Sequence, residues 1–235
     1  MSEAASPHSL PVPKVLAFDV FGTVVDWHTG IAREVAALLP DVDADAFALR
    51  WRDGYAPAMA STMASGEFRV LDDLHMDILR SIAPVSLSEA QLIDLNRAWY
   101  RLDPWPEAVA ALTRLRTRFV LTPLSNGGIG LLTYMAKRAG LPWDVVLSAE
   151  VFGAYKPDPR TYTGVARVLG VKPGEVMMVA AHQTDLDAAQ DAGLLTAYIE
   201  RPHELGATRV KDVSPSPRHP LHFRDLAALA DYFGC

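Results

Sequence analysis

A chain of 235 residues, half of them hydrophobic, can bury a sizeable core; this excludes a disordered tail and points to one large domain, or to a domain carrying an inserted smaller one. The formal net charge of −6 argues against a broad surface for nucleic acid or anionic membrane, since both reward a basic excess, and leaves a small molecule as the expected partner. Cys235 is the single cysteine, so no intrachain disulfide can form; with no basic-then-apolar leader and no run of about 20 apolar residues, the chain reads as cytoplasmic.

Residues 1–13 read as a flexible, proline-containing leader. Lys14 to Asp19 (KVLAFD) is a short apolar run that ends in an acid and is followed by Phe21-Gly22-Thr23, the pattern of a buried strand that delivers Asp19 to the edge where open α/β sheets hold their sites. From residue 27 to 103 the pattern turns helical, over Ile31 to Leu39, Asp45 to Tyr55, Leu71 to Ile82 and Ser88 to Arg101, with no convincing strand. Pro104-Trp105-Pro106 marks the return, because residues before proline are biased away from helix. A helix over Trp105 to Arg116 then leads into a second strand, Arg118 to Ser125, which ends in Asn126-Gly127-Gly128. Helical patterns over Gly130 to Ala139 and Asp158 to Leu169 each stop at a glycine. A third strand, Glu175 to Ala181, runs into His182-Gln183-Thr184-Asp185. Arg201 to Phe223, rich in Pro, His and Ser, reads as a surface loop before a last helix from Arg224 to Tyr232. Strands alternating with helices imply an α/β core, residues 14–26 and 104–235, with a parallel sheet and right-handed crossovers, and residues 27–103 form an inserted all-helical unit.

Taken alone, Asp19 followed by Thr23 is as readily a helix cap as a nucleophile, since both residues favour helix starts for structural reasons. The set is more telling: Asp19 with Thr23, Ser125 with Asn126, Lys156 with Pro157, and Asp185 all fall where a parallel sheet would bring strand ends together. Phe18-Asp19-Val20-Phe21-Gly22-Thr23, Leu124-Ser125-Asn126-Gly127, Tyr155-Lys156-Pro157-Asp158 and the Asp185 segment, in that order, resemble the motifs of the haloacid dehalogenase superfamily. The resemblance implies a Rossmann-like core with a helical cap inserted after the first strand, in agreement with the break at residue 27.

Membership of a superfamily does not settle the reaction. Phosphatases of this type carry a second Asp two residues after the nucleophile, where this chain has Phe21, and usually open the last motif with Gly-Asp, where it has Ala180-Ala181. The general acid and a Mg²⁺ ligand are therefore missing, and Mg²⁺ is a hard ion held by carboxylates and substrate phosphate, so no metal and no other cofactor is expected. Within the superfamily the chain resembles the type II 2-haloacid dehalogenases through Trp51-Arg52 on the second cap helix and through Tyr155-Lys156-Pro157-Asp158 with Tyr162. Arg52 by itself would read as a solvated helix arginine; the resemblance assigns it to the halide.

The chemistry so implied is hydrolysis of a short-chain (S)-2-haloacid to the (R)-2-hydroxyacid and halide, with haloacetates and fluoroacetate as further candidates. Asp19 attacks C2 opposite the halogen and forms an ester. Lys156 keeps Asp19 ionised, Arg52 and Asn126 receive the halide, and Thr23 and Ser125 orient the nucleophile. Asp185 activates the water that cleaves the ester. Val20, Phe21, Trp51, Phe68 and Tyr162 would form the substrate wall, although ordinary core packing is the plainer reading of Phe68. His182 departs from the Ser-Ser-Asn usual ahead of the last Asp, and reads as a site residue that partners Asp185 or contacts the substrate carboxylate. His8, His28, His75, His203, His219 and His222 show no metal-ligand spacing. A homodimer is implied by the resemblance alone. Two other readings stay open: a phosphatase or phosphonate hydrolase, which would need Mg²⁺, and a non-catalytic binding protein, which would need a damaged nucleophile or lysine although Asp19 and Lys156 are both intact.

Overall fold

A computed structural model describes residues 11–84 and 86–235, so the leader falls almost wholly outside the described residues. Strand β1, Val15–Phe18, is buried along its whole length. A turn leads to the two-residue β2, Val25–Asp26, and then to five helices: α1 (Trp27–Leu38), α2 (Ala44–Asp53), α3 (Tyr55–Ser65), α4 (Leu71–Ile82) and α5 (Glu89–Asn96). A 3₁₀ turn over Arg97–Arg101 precedes β3, Asp103–Pro104, which pairs antiparallel with β2 and so ties the two ends of the helical segment together. The rest alternates: α6 (Ala108–Leu115), β4 (Val120–Ser125), α7 (Ile129–Ala139), β5 (Leu147–Ser148), α8 (Ala149–Phe152), α9 (Pro159–Leu169), β6 (Val176–Ala180), α10 (Gln183–Asp191), β7 (Leu195–Ile199), β8 (His222–Phe223) and α11 (Leu226–Tyr232).

The main sheet has six strands in the order β5-β4-β1-β6-β7-β8, and every pairing in it is parallel. Side chains alternate across it: Leu16 and Phe18 enter one apolar cluster with Leu121, Met177 and Val179, while Val15 and Ala17 enter another with Leu124, Met178 and Ala180. Both faces are therefore covered, which is why these strands read as continuous apolar runs rather than alternating ones. Helix ends follow local chemistry. The side chains of Asp26, Asp43, Asp158 and Asp225 accept backbone N–H groups at the starts of α1, α2, α9 and α11, and Ser88 and Gln91 form a reciprocal cap on α5.

Beyond β5, β7, α8 and α10, which the sequence reading does not include, three elements differ from it. The single helix expected over Asp45 to Tyr55 stops at Asp53, and a further helix, α3, follows Gly54. A Cβ on Gly54 would lie 2.7 Å from the Ile78 side chain, so the glycine lets α4 approach closely. Helix α3 gives a weak amphipathic signal because Ala, Ser, Thr and Met dominate it, and its Pro57 lies in the first turn, where no backbone N–H is needed. The helix expected over Ser88 to Arg101 tightens to a 3₁₀ turn from Arg97 onward. The region Arg201 to Phe223 is not simply a surface loop: Arg201, Glu204 and His219 are buried, and β8 pairs with β7.

Candidate active site

Strand β1 lies between β4 and β6, so the residue that follows it, Asp19, emerges at the middle of the sheet's C-terminal edge. Its N–H donates to the Val179 carbonyl at 3.0 Å, which fixes the backbone there. Immediately beyond, Gly22 has a φ of +87°, a conformation that side chains with a Cβ rarely adopt, and its N–H donates to the Val25 carbonyl at 3.0 Å. The turn so closed brings Thr23 back under Asp19. Thr23 Oγ1 accepts the Ala181 N–H at 2.9 Å, so its own hydrogen is left for Asp19 Oδ2, to which it donates at 2.7 Å.

Lys156 supplies the charge. Its Nζ donates to Asp19 Oδ1 at 3.0 Å and to Asp185 Oδ2 at 2.5 Å, and all three side chains are about nine-tenths buried. Asp185 Oδ1 accepts the Tyr162 hydroxyl at 2.7 Å, so both carboxylate oxygens of Asp185 are engaged. Asn126 Oδ1 accepts the Lys156 backbone N–H at 2.8 Å and so holds the start of the lysine segment against the end of β4. Burial pushes the Asp19 carboxyl up, but Lys156, together with His182 and Thr23, outweighs it and holds Asp19 well below the usual carboxylate range. Burial works against the Lys156 ammonium as well, and the two carboxylates more than offset it, raising the lysine above its ordinary value.

His182, at the end of β6, pairs with Asp19 rather than Asp185. Its Nδ1 is 3.1 Å from Asp19 Oδ2 and its Nε2 is 2.8 Å from Glu204 Oε1. Glu204 is buried and also receives the Trp27 indole N–H at 3.2 Å and the Lys211 ammonium. Burial lowers the imidazole, yet Glu204 and Asp19 push it up to about 9, while the burial that would raise Glu204 is outweighed by His182 and Lys211, which lower it to about 2. The resting site therefore holds an imidazolium between two carboxylates. Gly22 makes room for this arrangement, since a Cβ there would sit 2.2 Å from Glu204 Oε1.

These groups open onto a cavity of about 270 Å³. Asp19, Asn126, Lys156, His182 and Asp185 line it from the sheet side with Phe21 and Tyr162, and Arg52, Tyr55, Ala56 and Met59 line it from α2 and α3. The Arg52 guanidinium lies 4.1 Å from the Tyr55 ring centroid and 5.7 Å from that of Trp27. Three cations, Arg52, Lys156 and His182, face two carboxylates across otherwise largely apolar walls, which suits a small organic monoanion.

Five residues read from the sequence as site residues do not line the cavity, among them Thr23, which is fully buried beneath Asp19. Trp51 is fully buried behind Arg52, where its indole N–H donates to the His75 carbonyl and its ring packs against Trp99. Successive residues of a helix point about 100° apart, so Trp51 and Arg52 cannot both face the site. Phe68 stacks on Tyr155 at 4.9 Å outside the cavity, and Val20 points into the core. Ser125 is buried, and its Oγ accepts the Gly127 N–H at 3.1 Å, shaping the turn that carries Asn126. Conversely, Glu204, Lys211 and Tyr55 were not legible as site residues: the first two come from a segment without periodicity, and Tyr55 from the helix boundary that the pattern misplaced.

The carboxylates present do not fit a Mg²⁺ ion. Lys156 Nζ occupies the position between Asp19 and Asp185 that a shared cation would need, Phe21 brings no oxygen, and no cluster of three or more His, Cys, Asp or Glu suited to a metal occurs among the described residues. No helix among the described residues is long and apolar enough to cross a membrane.

Comparison with known proteins places this geometry. Residues 13–193 match the haloacid dehalogenase-like hydrolases. The structure superposes on a crystal structure of a defluorinating L-2-haloacid dehalogenase with a TM-score of 0.89, at 43% identity over 95% of this chain and 96% of that one. A second L-2-haloacid dehalogenase gives a TM-score of 0.89 at 39% identity, covering 95% of this chain and all of its own. The (S)-2-haloacid dehalogenase 4A of Burkholderia cepacia is 28% identical over 194 residues, 80% of this chain and 83% of its own length. With its parallel sheet, the tight turn that carries Asp19 after β1, Lys156 beside that carboxylate and the family match over residues 13–193, the chain belongs to the haloacid dehalogenase-like hydrolases.

Proposed function

We propose that the chain is an (S)-2-haloacid dehalogenase, a hydrolase that converts a short 2-haloalkanoate and water into the 2-hydroxyalkanoate of inverted configuration and halide. The observation that carries this reading is the buried Asp19, held anionic by Lys156 at 3.0 Å in a small cavity whose neighbouring Phe21 offers no proton for phosphate transfer. The naming of its relatives as L- and (S)-2-haloacid dehalogenases supports it.

The residues divide the work in two steps. In the first, Asp19 attacks C2 from the face opposite the halogen; the carbon–halogen bond breaks as the ester forms, and the halide leaves as an anion toward Arg52 and the Asn126 amide. In the second, water attacks the carbonyl carbon of the Asp19 ester, the hydroxy acid departs, and Asp19 regains its carboxylate with one oxygen from water. Asp185 is poorly placed to take the water's proton, because Lys156 and Tyr162 engage both its oxygens. His182 is better placed. Its raised affinity for a proton depends in part on the Asp19 charge, which disappears once the ester forms, so the imidazolium loses its proton to solvent more readily and the neutral imidazole becomes a base at the ester it adjoins. Asp185 then serves to hold Lys156, and the inserted helices serve as a cap that keeps bulk water from the first step.

The direct assay is halide release from 2-chloropropanoate and chloroacetate in the presence of a metal chelator. Release with inversion at C2 supports the reading; absence of halide from fluoro-, chloro- and bromoacetate alike, with turnover of an aryl phosphate on adding Mg²⁺, would overturn it. A homodimer is proposed on the same resemblance, with sedimentation as its measurement.

A further inference from the structure

Tyr55 is a cavity residue that the two steps above leave unused. It opens α3 beside Arg52 and is 7% exposed. The Arg52 guanidinium lies 4.1 Å from its ring centroid and the His75 ring 5.8 Å away, so the ring is clamped and its hydroxyl has a fixed position. Tyr55 and Asn126 line the same cavity. The other two tyrosines near the site use their hydroxyl hydrogens, Tyr162 on Asp185 and Tyr155 on the Arg69 carbonyl, whereas the Tyr55 hydrogen has no acceptor among the described residues. Burial raises this phenol above its ordinary value, so it keeps its hydrogen at neutral pH.

We propose that the Tyr55 hydroxyl donates to the departing halide and selects for small, hard halides, fluoride above chloride and chloride above bromide. The proposal rests on the dehalogenase reading and adds to it the residue that sets the halogen. In the first step Asp19 Oδ forms the new bond to C2 while the carbon–halogen electron pair passes to the halide. A hydrogen bond there strengthens as charge density on the leaving atom grows, so it does most for fluoride, the poorest leaving group and the densest anion. Arg52 alone, a diffuse cation on the ring of Tyr55, would not discriminate in this way.

The test is Tyr55→Phe, which keeps the ring under Arg52 and removes only the hydroxyl. kcat/KM is read by halide release, since it reports the carbon–halogen step. The expected loss is about 100-fold with fluoroacetate, about tenfold with chloroacetate and under about threefold with bromoacetate, given that one donor aimed at developing charge is worth 10²–10³-fold at most. Fluoride as a product inhibitor should weaken in parallel, with bromide unchanged. Equal losses for all three halogens, or no loss with fluoroacetate, would overturn the proposal even where Tyr55→Phe melts like the parent. Absence of halide release by the parent enzyme from every substrate would instead remove the dehalogenase reading on which it rests.

Discussion

Replacing His182 by Asn separates the two chemical steps. In the resting site Glu204 and Asp19 outweigh burial and push His182 up to about 9 against an ordinary value of 6.5, a net stabilisation of the imidazolium of about 3 kcal/mol. Esterification of Asp19 removes one of the two carboxylates while Glu204 stays, so the affinity for the proton falls below about 9 and a neutral base becomes more available. A positioned general base contributes about 10²–10⁴-fold, or roughly 3–5 kcal/mol of barrier, and His182→Asn should slow ester hydrolysis by that factor. The first step should change far less, by under about tenfold, because Asp19 keeps Lys156 at 3.0 Å and Thr23 at 2.7 Å. Mixed rapidly with bromoacetate, the variant should release one equivalent of bromide and stop, and intact-protein mass spectrometry should find one carboxymethyl group, mapped by digestion to Asp19. In the parent enzyme, the hydrolysis step should rise with pH to a plateau, with a midpoint below about 9. Steady multiple turnover at near-parental rate by His182→Asn would refute the assignment, as would loss of the bromide burst together with turnover.

Gly22→Ala would place a Cβ 2.2 Å from Glu204 Oε1 at a φ of +87°; it should destabilise the fold by about 1–3 kcal/mol in denaturant melts and, by displacing Glu204 from His182, slow hydrolysis more than halide release. Lys156→Met leaves Asp19 and Asp185 buried without their cation, so halide release should fall by more than about 10³-fold and stability at pH 7 by about 3–5 kcal/mol, measured by urea melts. His75 is stacked 4.2 Å from Trp99 with neither ring nitrogen hydrogen-bonded among the described residues, and burial followed by the nearby Arg52 lowers it to about 3. The unfolded chain therefore binds this proton more readily than the folded one, so stability falls as pH drops below 6.5 toward 3, by up to about 1.4 kcal/mol per pH unit. His75→Phe should flatten that acid limb in pH-dependent denaturant melts, and an unchanged slope would count against it.

Buried parallel strands are the most legible part of this sequence, because the runs Val15–Phe18 and Val176–Ala181 are apolar on both faces and lead into polar residues, Asp19 and His182, that mark the sheet edge. The motif residues Asp19, Thr23, Lys156 and Asp185 are brought within hydrogen-bonding distance of one another or of a shared partner. What was not legible has physical causes. Trp51 and Arg52 are neighbours in sequence and face opposite duties on α2, one buried among the helices and one at the cavity. Tyr55 was hidden by the break at Gly54, whose role depends on the close approach of Ile78. Glu204 and Lys211 lie in a stretch rich in Pro and His that has no strand or helix period, and only tertiary folding carries them beneath His182. His182 itself stood out by its place after β6, but its partners, Asp19 and Glu204, required the structure.

The central claim is that Asp19 is the atom-transferring nucleophile, and a single turnover in ¹⁸O-labelled water with enzyme in excess over 2-chloropropanoate tests it most directly. The predicted result is label in the Asp19 carboxylate, found by mass spectrometry of its peptide, with the hydroxy acid carrying none. Label in the hydroxy acid after one turnover, with Asp19 unlabelled, would mean that water attacks carbon directly and would contradict the covalent mechanism.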